Sequence, residues 1–293
     1  MDIDANVTTP AGRTLSGALI GTALGTLGGV VATGAAFYGR SLWTIRKQSS
    51  AHPKFWRARL AEHDETAHEA ADLLNYVVLG DSAASGVGVA DPERGYVVHV
   101  ENELAELTGR PVRTTNLSVP GASSWLLMEH QLPLFDNVQA ELRETTGRGA
   151  DIVTCIIGGN DIIDPNFTLE GFEWTLVRLF AKLPAGTVVS TIPSFGIPPY
   201  ESRVRAANDL IHAEVIKHDL VLADLYVETR KLWPVKYFFH CSGDFFHPNA
   251  RGYRLWGDVV WSGVQEAWHF HQETTDQDNA VISSRSSDPA PRP

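Results

Sequence analysis

The stretch NYVVLGDSAASGVG, residues 75–88, runs an apolar, β-branched segment into Gly80-Asp81-Ser82 and then into small residues and glycines. An uninterrupted apolar run of this kind is what a strand buried on both faces looks like, as in a parallel sheet covered by helices. It ends on a serine with nothing bulky beside it. Four more apolar, β-rich runs follow: VRTTNLSV (112–119), DIVTCIIG (151–158), TVVSTIP (187–193) and LVLADLY (220–226). Helix-length amphipathic segments lie between them. Examples are YVVHVENELAELTG (96–109), closed by a glycine that suits a helix C-terminus, and ESRVRAANDLIHAEVIKHD (201–219). Strands alternating with helices predict a three-layer α/β/α sandwich with a central five-stranded parallel sheet, over residues 72–270.

Composition bounds the function. The chain has 293 residues, 43% hydrophobic and 20% charged, enough to bury a globular core. A net charge of -11 leaves no face-sized surplus of Lys and Arg to neutralise phosphates, so no nucleic-acid partner is expected. The two cysteines, Cys155 and Cys241, make no disulfide framework, and no CxxC or Cys/His cluster suggests a metal. Cys155 falls within a buried strand and is expected to be inert.

The ends read differently from the middle. Residues 1–13 form a leader with two aspartates before Arg13 and no convincing small-x-small cleavage site, which argues against a cleaved signal peptide. From 14 to 39 there is no charged residue, long enough for a single transmembrane helix. Gly17, Gly21, Gly25 and Gly29 fall on one face of that helix and would let a second copy approach closely, so homo-association is expected. Residues 40–71 combine Trp43, Phe55 and Trp56 with Arg40, Arg46, Lys47, Lys54, Arg57 and Arg59, a linker helix suited to lie against anionic headgroups. The same basic cluster places the C-terminal part in the cytoplasm by the positive-inside rule, the alternative being a secreted or extracytoplasmic domain. Residues 271–293 lack apolar periodicity and read as a disordered tail.

In parallel α/β sheets ligands bind outside the carboxyl ends of the strands. Four such ends carry Gly80-Asp81-Ser82, Pro120-Gly121-Ala122, Gly158-Gly159-Asn160-Asp161 and, after a longer loop, GDFFHPNARGY (243–253) with its Asp244-x-x-His247 pair. A serine hydroxyl needs an adjacent base to attack a carbonyl, and His247 is the candidate. Asp244, three residues earlier, is close enough to fix the tautomer of its ring and to stabilise the imidazolium. The competing reading of Ser82, a helix cap, weakens beside Asn160 and His247. The sequence lacks the second glycine of a Gly-x-Ser-x-Gly elbow. Asp81 and Asp161 are expected to hold loops by local hydrogen bonds, and His99, His130, His212 and His218 have no ligand partners at metal spacing.

Taken together, these four ordered blocks resemble the SGNH or GDSL hydrolases across residues 76–256. The resemblance implies the flavodoxin-like fold of that family and an oxyanion hole made by the Ser82 backbone N–H, the Gly121 backbone N–H and the Asn160 side-chain amide. It also implies a catalytic set of Ser82, Asp244 and His247 with no metal or organic cofactor. The expected function is a membrane-anchored serine esterase that cleaves a small-molecule or lipid-like carboxylic ester through an acyl-enzyme. Phe195, Phe238, Phe239, Phe245 and Phe246 are candidates for an acyl pocket. Carbohydrate O-deacetylation and acyl transfer are the enzymatic alternatives. A membrane-tethered lipid-binding scaffold is the alternative outside catalysis.

Overall fold

The computed structural model describes the backbone of residues 15–66 and 72–286, with side chains over 36–64 and 72–272. The chain begins with a long helix, α1 (Leu15–Thr66), and then enters β1 (Leu74–Gly80), α2 (Tyr96–Thr108) and β2 (Val112–Asn116). A short α3 (Ser124–Leu126) runs through a π-turn, Leu127–Gln131, into α4 (Leu132–Thr146). Next come β3 (Ile152–Ile156), α5 (Gly159–Ile163), α6 (Leu169–Phe180) and β4 (Val188–Ser190). The last part is α7 (Tyr200–Lys217), β5 (Val221–Ala223), α8 (Leu225–Lys231), α9 (Lys236–Phe239) and α10 (Ala250–Ser286).

The five strands form one parallel sheet in the order β2-β1-β3-β4-β5. Its two faces explain the unbroken apolar runs. On β1, Leu74, Tyr76 and Val78 pack toward α2, α10 and Trp56 of α1, whereas Val77 and Leu79 pack toward α4, α6 and α7. Each strand residue meets a core whichever way it points, so polar alternation has no place. The runs overshoot the strands: Leu117–Val119 and Thr191–Pro193 leave the sheet as loops, several of them still buried. Order 2-1-3 means the chain turns back on itself between β1 and β3, which opens a crevice at their carboxyl ends.

Both ends of the described chain are helical. Over Arg40–Thr66 the expected linker helix is continuous with the helix that starts at Leu15, and residues 67–71 lie outside the described residues. One stripe of that helix docks on the domain: Trp56 is 3% exposed within the core, Arg59 Nη2 pairs with Glu101 Oε1 at 2.5 Å, and Asp64 pairs with Arg113 at 2.5 Å. At the other end α10 continues to Ser286 rather than stopping at 270, since no Gly or Pro interrupts the chain between Gly263 and Pro289. The leader 1–13 and the side chains of 15–35, which include the glycine face and most of the expected membrane span, lie outside the described residues. Among the described residues no helix is long and apolar enough to cross a membrane.

Candidate active site

The three strand-end loops at the crevice meet the Asp-x-x-His loop in one place. Gly80 closes β1 with no space for a side chain, because a Cβ there would stand 2.7 Å from Ile156 O. Gln131, wholly buried at the end of the π-turn, grips its backbone: Gly80 N–H donates to Oε1 at 3.0 Å and Nε2 donates to Gly80 O at 2.7 Å. The chain then turns tightly, with Val87 N–H donating to Ser82 O at 2.9 Å, and Ser82 faces the crevice.

His247 reaches Ser82 from α10's side of the sheet. Its Nε2 is 2.9 Å from Ser82 Oγ and its Nδ1 is 2.6 Å from Asp244 Oδ2. Asp244 organises its own loop, accepting from Ser242 Oγ at 2.5 Å and from the backbone N–H groups of His247 at 3.1 Å and Phe246 at 3.2 Å. Burial pulls its carboxyl upward, but the hydrogen bond and charge of His247, with the Ser242 and Phe246 donors, outweigh it and hold Asp244 down at about 2. An ionised carboxylate on Nδ1 leaves Nε2 free to accept from the serine hydroxyl. Phe245, between the two, sits at φ 60°, a left-handed conformation that a bulky residue adopts only where the surroundings impose it.

Asn160 and the Gly121–Ala122 turn join the Ser82 loop through Asp81, although neither Gly121 nor Asn160 lines the pocket beside Ser82. Gly121 has φ 85° with nothing within 4 Å of where a Cβ would stand. Asn160 Nδ2 donates to Ala122 O at 2.8 Å and lies 3.3 Å from Asp81 Oδ2, tying the β1, β2 and β3 loops together. Asp81 also accepts from Ala83 N–H at 2.8 Å; burial raises its carboxyl to about 6, against the Ala83 bond and the charge of His247. Asp161, raised by burial, accepts from Ser124 N–H at 2.9 Å and from Ser124 Oγ at 2.6 Å. Both aspartates therefore stitch loops together.

Beside Ser82 opens a pocket. Phe195, Leu232, Tyr237, Phe245 and Phe246 line it, and Phe246 meets His247 edge-on at 5.0 Å. Phe238 and Phe239, expected here, stand outside the lining, 77% and 54% exposed. Cys155 is buried under the site with its thiol pushed by burial to about 12. Among the described residues no group of three or more His, Cys, Asp or Glu stands where a metal would be held.

Sequence reasoning passed over Gln131 and Asn249. Asn249 Oδ1 caps α10 through Arg251 N–H at 2.9 Å and Gly252 N–H at 3.1 Å, while its Nδ2 donates to Phe239 O and Cys241 O. Its place just before a helix was a readable capping signal. Gln131 follows Glu129 and His130 in sequence, and nothing in that polar step marks it as the buried one.

Known proteins resemble this chain in sequence and in fold. The chain is 25% identical over 208 residues to the GDSL-like esterase Rv1075c of Mycobacterium tuberculosis, an alignment that takes in 66% of this chain and 62% of that one. The chain thus spans less than two thirds of that relative. Two solved structures share its fold: the lipase/acylhydrolase from Enterococcus faecalis, at TM-score 0.51 and 21% identity over 66% of this chain and 96% of that one, and Axe2, an acetylxylan esterase from Geobacillus stearothermophilus, at TM-score 0.52 and 18% identity over 65% and 94%. The GDSL-like lipase/acylhydrolase family matches residues 78–255, more than half of the chain and every loop of the rim from Ser82 to His247, and the chain belongs to that family.

Proposed function

We propose that this chain is a serine ester hydrolase. The observation that carries the reading is the continuous relay from Ser82 Oγ through His247 to Asp244, with spacings of 2.9 and 2.6 Å, at the mouth of an apolar pocket. Ser82 Oγ bonds to the ester carbonyl carbon while its proton passes to His247 Nε2; the imidazolium returns that proton to the departing alkoxide. Water, deprotonated by the same ring, then releases the acid and restores the serine. The Ser82 and Gly121 N–H groups and the Asn160 amide are assigned to the developing oxyanion. Asn160 Nδ2 must then share itself with Ala122 O, which keeps it pre-aimed.

A serine-directed fluorophosphonate labels the wild type and spares Ser82→Ala, and His247→Ala loses p-nitrophenyl ester turnover by roughly four orders of magnitude or more. Equal labelling of the wild type and Ser82→Ala would remove the assignment. The apolar lining supports an acyl group as the pocket's occupant, and a series of p-nitrophenyl esters of rising chain length measures how much of one it takes. A preference confined to acetyl would favour carbohydrate O-deacetylation. The reading includes an N-terminal membrane anchor at residues 14–39 with the catalytic domain on the cytoplasmic side. It is supported by exposed Phe37, Tyr38, Leu42 and Trp43 interleaved with Arg40, Arg46 and Lys47 on α1.

A further inference from the structure

Helix α1 lies outside the family-matched residues 78–255, yet it touches both loops that carry the relay. Gln48, His52 and Trp56 recur every fourth residue and so share one face. Gln48 Oε1 accepts from Gly88 N–H at 3.0 Å, Trp56 Nε1 donates to Ser85 O at 3.2 Å, and His52 is 3% exposed against the Ser85 and Gly86 backbone. All three grip the loop that follows Ser82. Gly88, at φ 111°, is pressed against the back of the base: a Cβ there would meet His247 Cβ at 2.9 Å and Pro248 O at 2.2 Å.

About two turns N-terminal of Gln48, the same helix meets the other loop. A Cβ on Gly243 would stand 2.3 Å from Ser41 Oγ and 3.2 Å from the Phe37 ring, and Gly243 immediately precedes Asp244. One helix therefore spans the serine loop and the Asp-x-x-His loop, which no strand of the sheet does, since residues 242–247 lie far in sequence past β5. The contacts are of two kinds, a polar pin at Gly88 and a steric stop at Gly243.

We propose that α1 is a positioning clamp, in which Gln48 and the Phe37–Ser41 step hold Gly88 and Gly243 so that the His247 ring stays within reach of both Ser82 and Asp244. Gln48 and Ser41 are positioning residues; neither touches substrate. Without the pin, Gly88 is free to move away from His247, and the Nε2 to Oγ spacing lengthens. Displacements of about 1 Å in a reacting pair cost as much as 100-fold in rate.

The proposal rests on the serine-hydrolase reading, and its test has one arm that needs no turnover. Gln48→Leu removes the acceptor at similar volume, and Gln48→Glu keeps an acceptor oxygen. Gly243→Ala drives a methyl into Ser41, and Gly243→Ala combined with Ser41→Gly removes that closest obstacle and leaves only the looser approach to the Phe37 ring. In the full chain, Gln48→Leu and Gly243→Ala lower kcat on a p-nitrophenyl ester by about 10- to 100-fold with KM little changed. Gln48→Glu, and the double substitution, recover most of it. The downfield proton resonance of the short His247 Nδ1–Asp244 bond, assigned by its loss in Asp244→Asn, broadens or shifts in the two impaired variants and returns in the two rescued ones. Wild-type kcat and an unmoved resonance in Gln48→Leu and Gly243→Ala would overturn the clamp. So would an impaired Gly243→Ala that Ser41→Gly fails to rescue. A wild type that neither turns over esters nor labels at Ser82 would instead sink the hydrolase reading, and the resonance arm would still decide the clamp.

Discussion

Asp244 shows how one side chain can hold a loop and tune a base together. It accepts from Ser242 Oγ, two backbone N–H groups and His247 Nδ1, and every one of those donors favours its ionised form. Its folded pKa of about 2 lies below the 3.8 of an unperturbed aspartate, so the unfolded chain binds the proton more readily. Stability from this group is therefore present above about pH 4 and lost as pH falls toward 2. Urea melts between those values should fall steeply for the wild type and more shallowly for Asp244→Asn; parallel slopes would contradict the assignment. Asn160 carries a second prediction. Removing one oxyanion donor costs about 2.7–4 kcal/mol of barrier, so Asn160→Ala should lower kcat by about 100- to 1,000-fold. A loss under about threefold, with the fold intact by circular dichroism, would mean that the amide only ties loops together through Ala122 O and Asp81. At this scale the site was legible because the chemistry demands particular residue types at strand ends. What Asn160 bonds in the resting site was not, since its partners come from loops 38 and 79 residues away.

At the scale of elements, the turn before α4 matters more than its composition suggests. Gln131 pairs with Gly80 as a neighbouring strand would, in a place where no strand exists. Replacement by Leu fits the apolar surroundings but orphans the buried Gly80 N–H, whereas Gly80 O keeps Val119 N–H at 3.1 Å. One unpaired buried group costs about 1–3 kcal/mol, and Gln131→Leu should lose that much in denaturant midpoint measurements while slowing turnover. An unchanged midpoint would show that water or a shifted backbone replaces the amide. The same scale exposes what hydrophobic pattern misses. The strands were readable as apolar runs but came out too long, because the loops leaving the sheet are buried too and look alike in sequence. The docking of α1 escaped for the opposite reason. Two of its three gripping residues, Gln48 and His52, are polar and meet backbone groups of the Ser85–Gly88 turn, contacts that no periodicity of apolar residues records.

For the whole molecule the distribution of charge is more telling than its sum. The chain carries -11, yet residues 40–59 contain six Lys and Arg and no Asp or Glu. Arg59 is committed to Glu101 and Glu93 of the domain, while Trp43, 64% exposed, stands beside Lys47 Nζ at 5.6 Å from its ring. A basic and aromatic face next to an uncharged stretch attracts an anionic surface, and the attraction alone is worth about 1 kcal/mol per basic residue close to it. An inserted helix adds a hold that salt does not weaken, because the apolar transfer it rests on is not screened. The two contributions separate in a flotation experiment with lipid vesicles. The full chain should float with neutral and anionic vesicles alike and stay with them in about 1 M salt, where charges are screened beyond about 3 Å. A chain starting at residue 36 keeps the clamp contacts of Phe37, Ser41, Gln48 and Trp56, so it should still turn over esters; it should float only with anionic vesicles and be released by salt. Release of the full chain under the same conditions would remove the anchor and leave only an electrostatic surface. That result would also move the substrate search from membrane-borne esters to soluble ones, with the relay at Ser82 untouched.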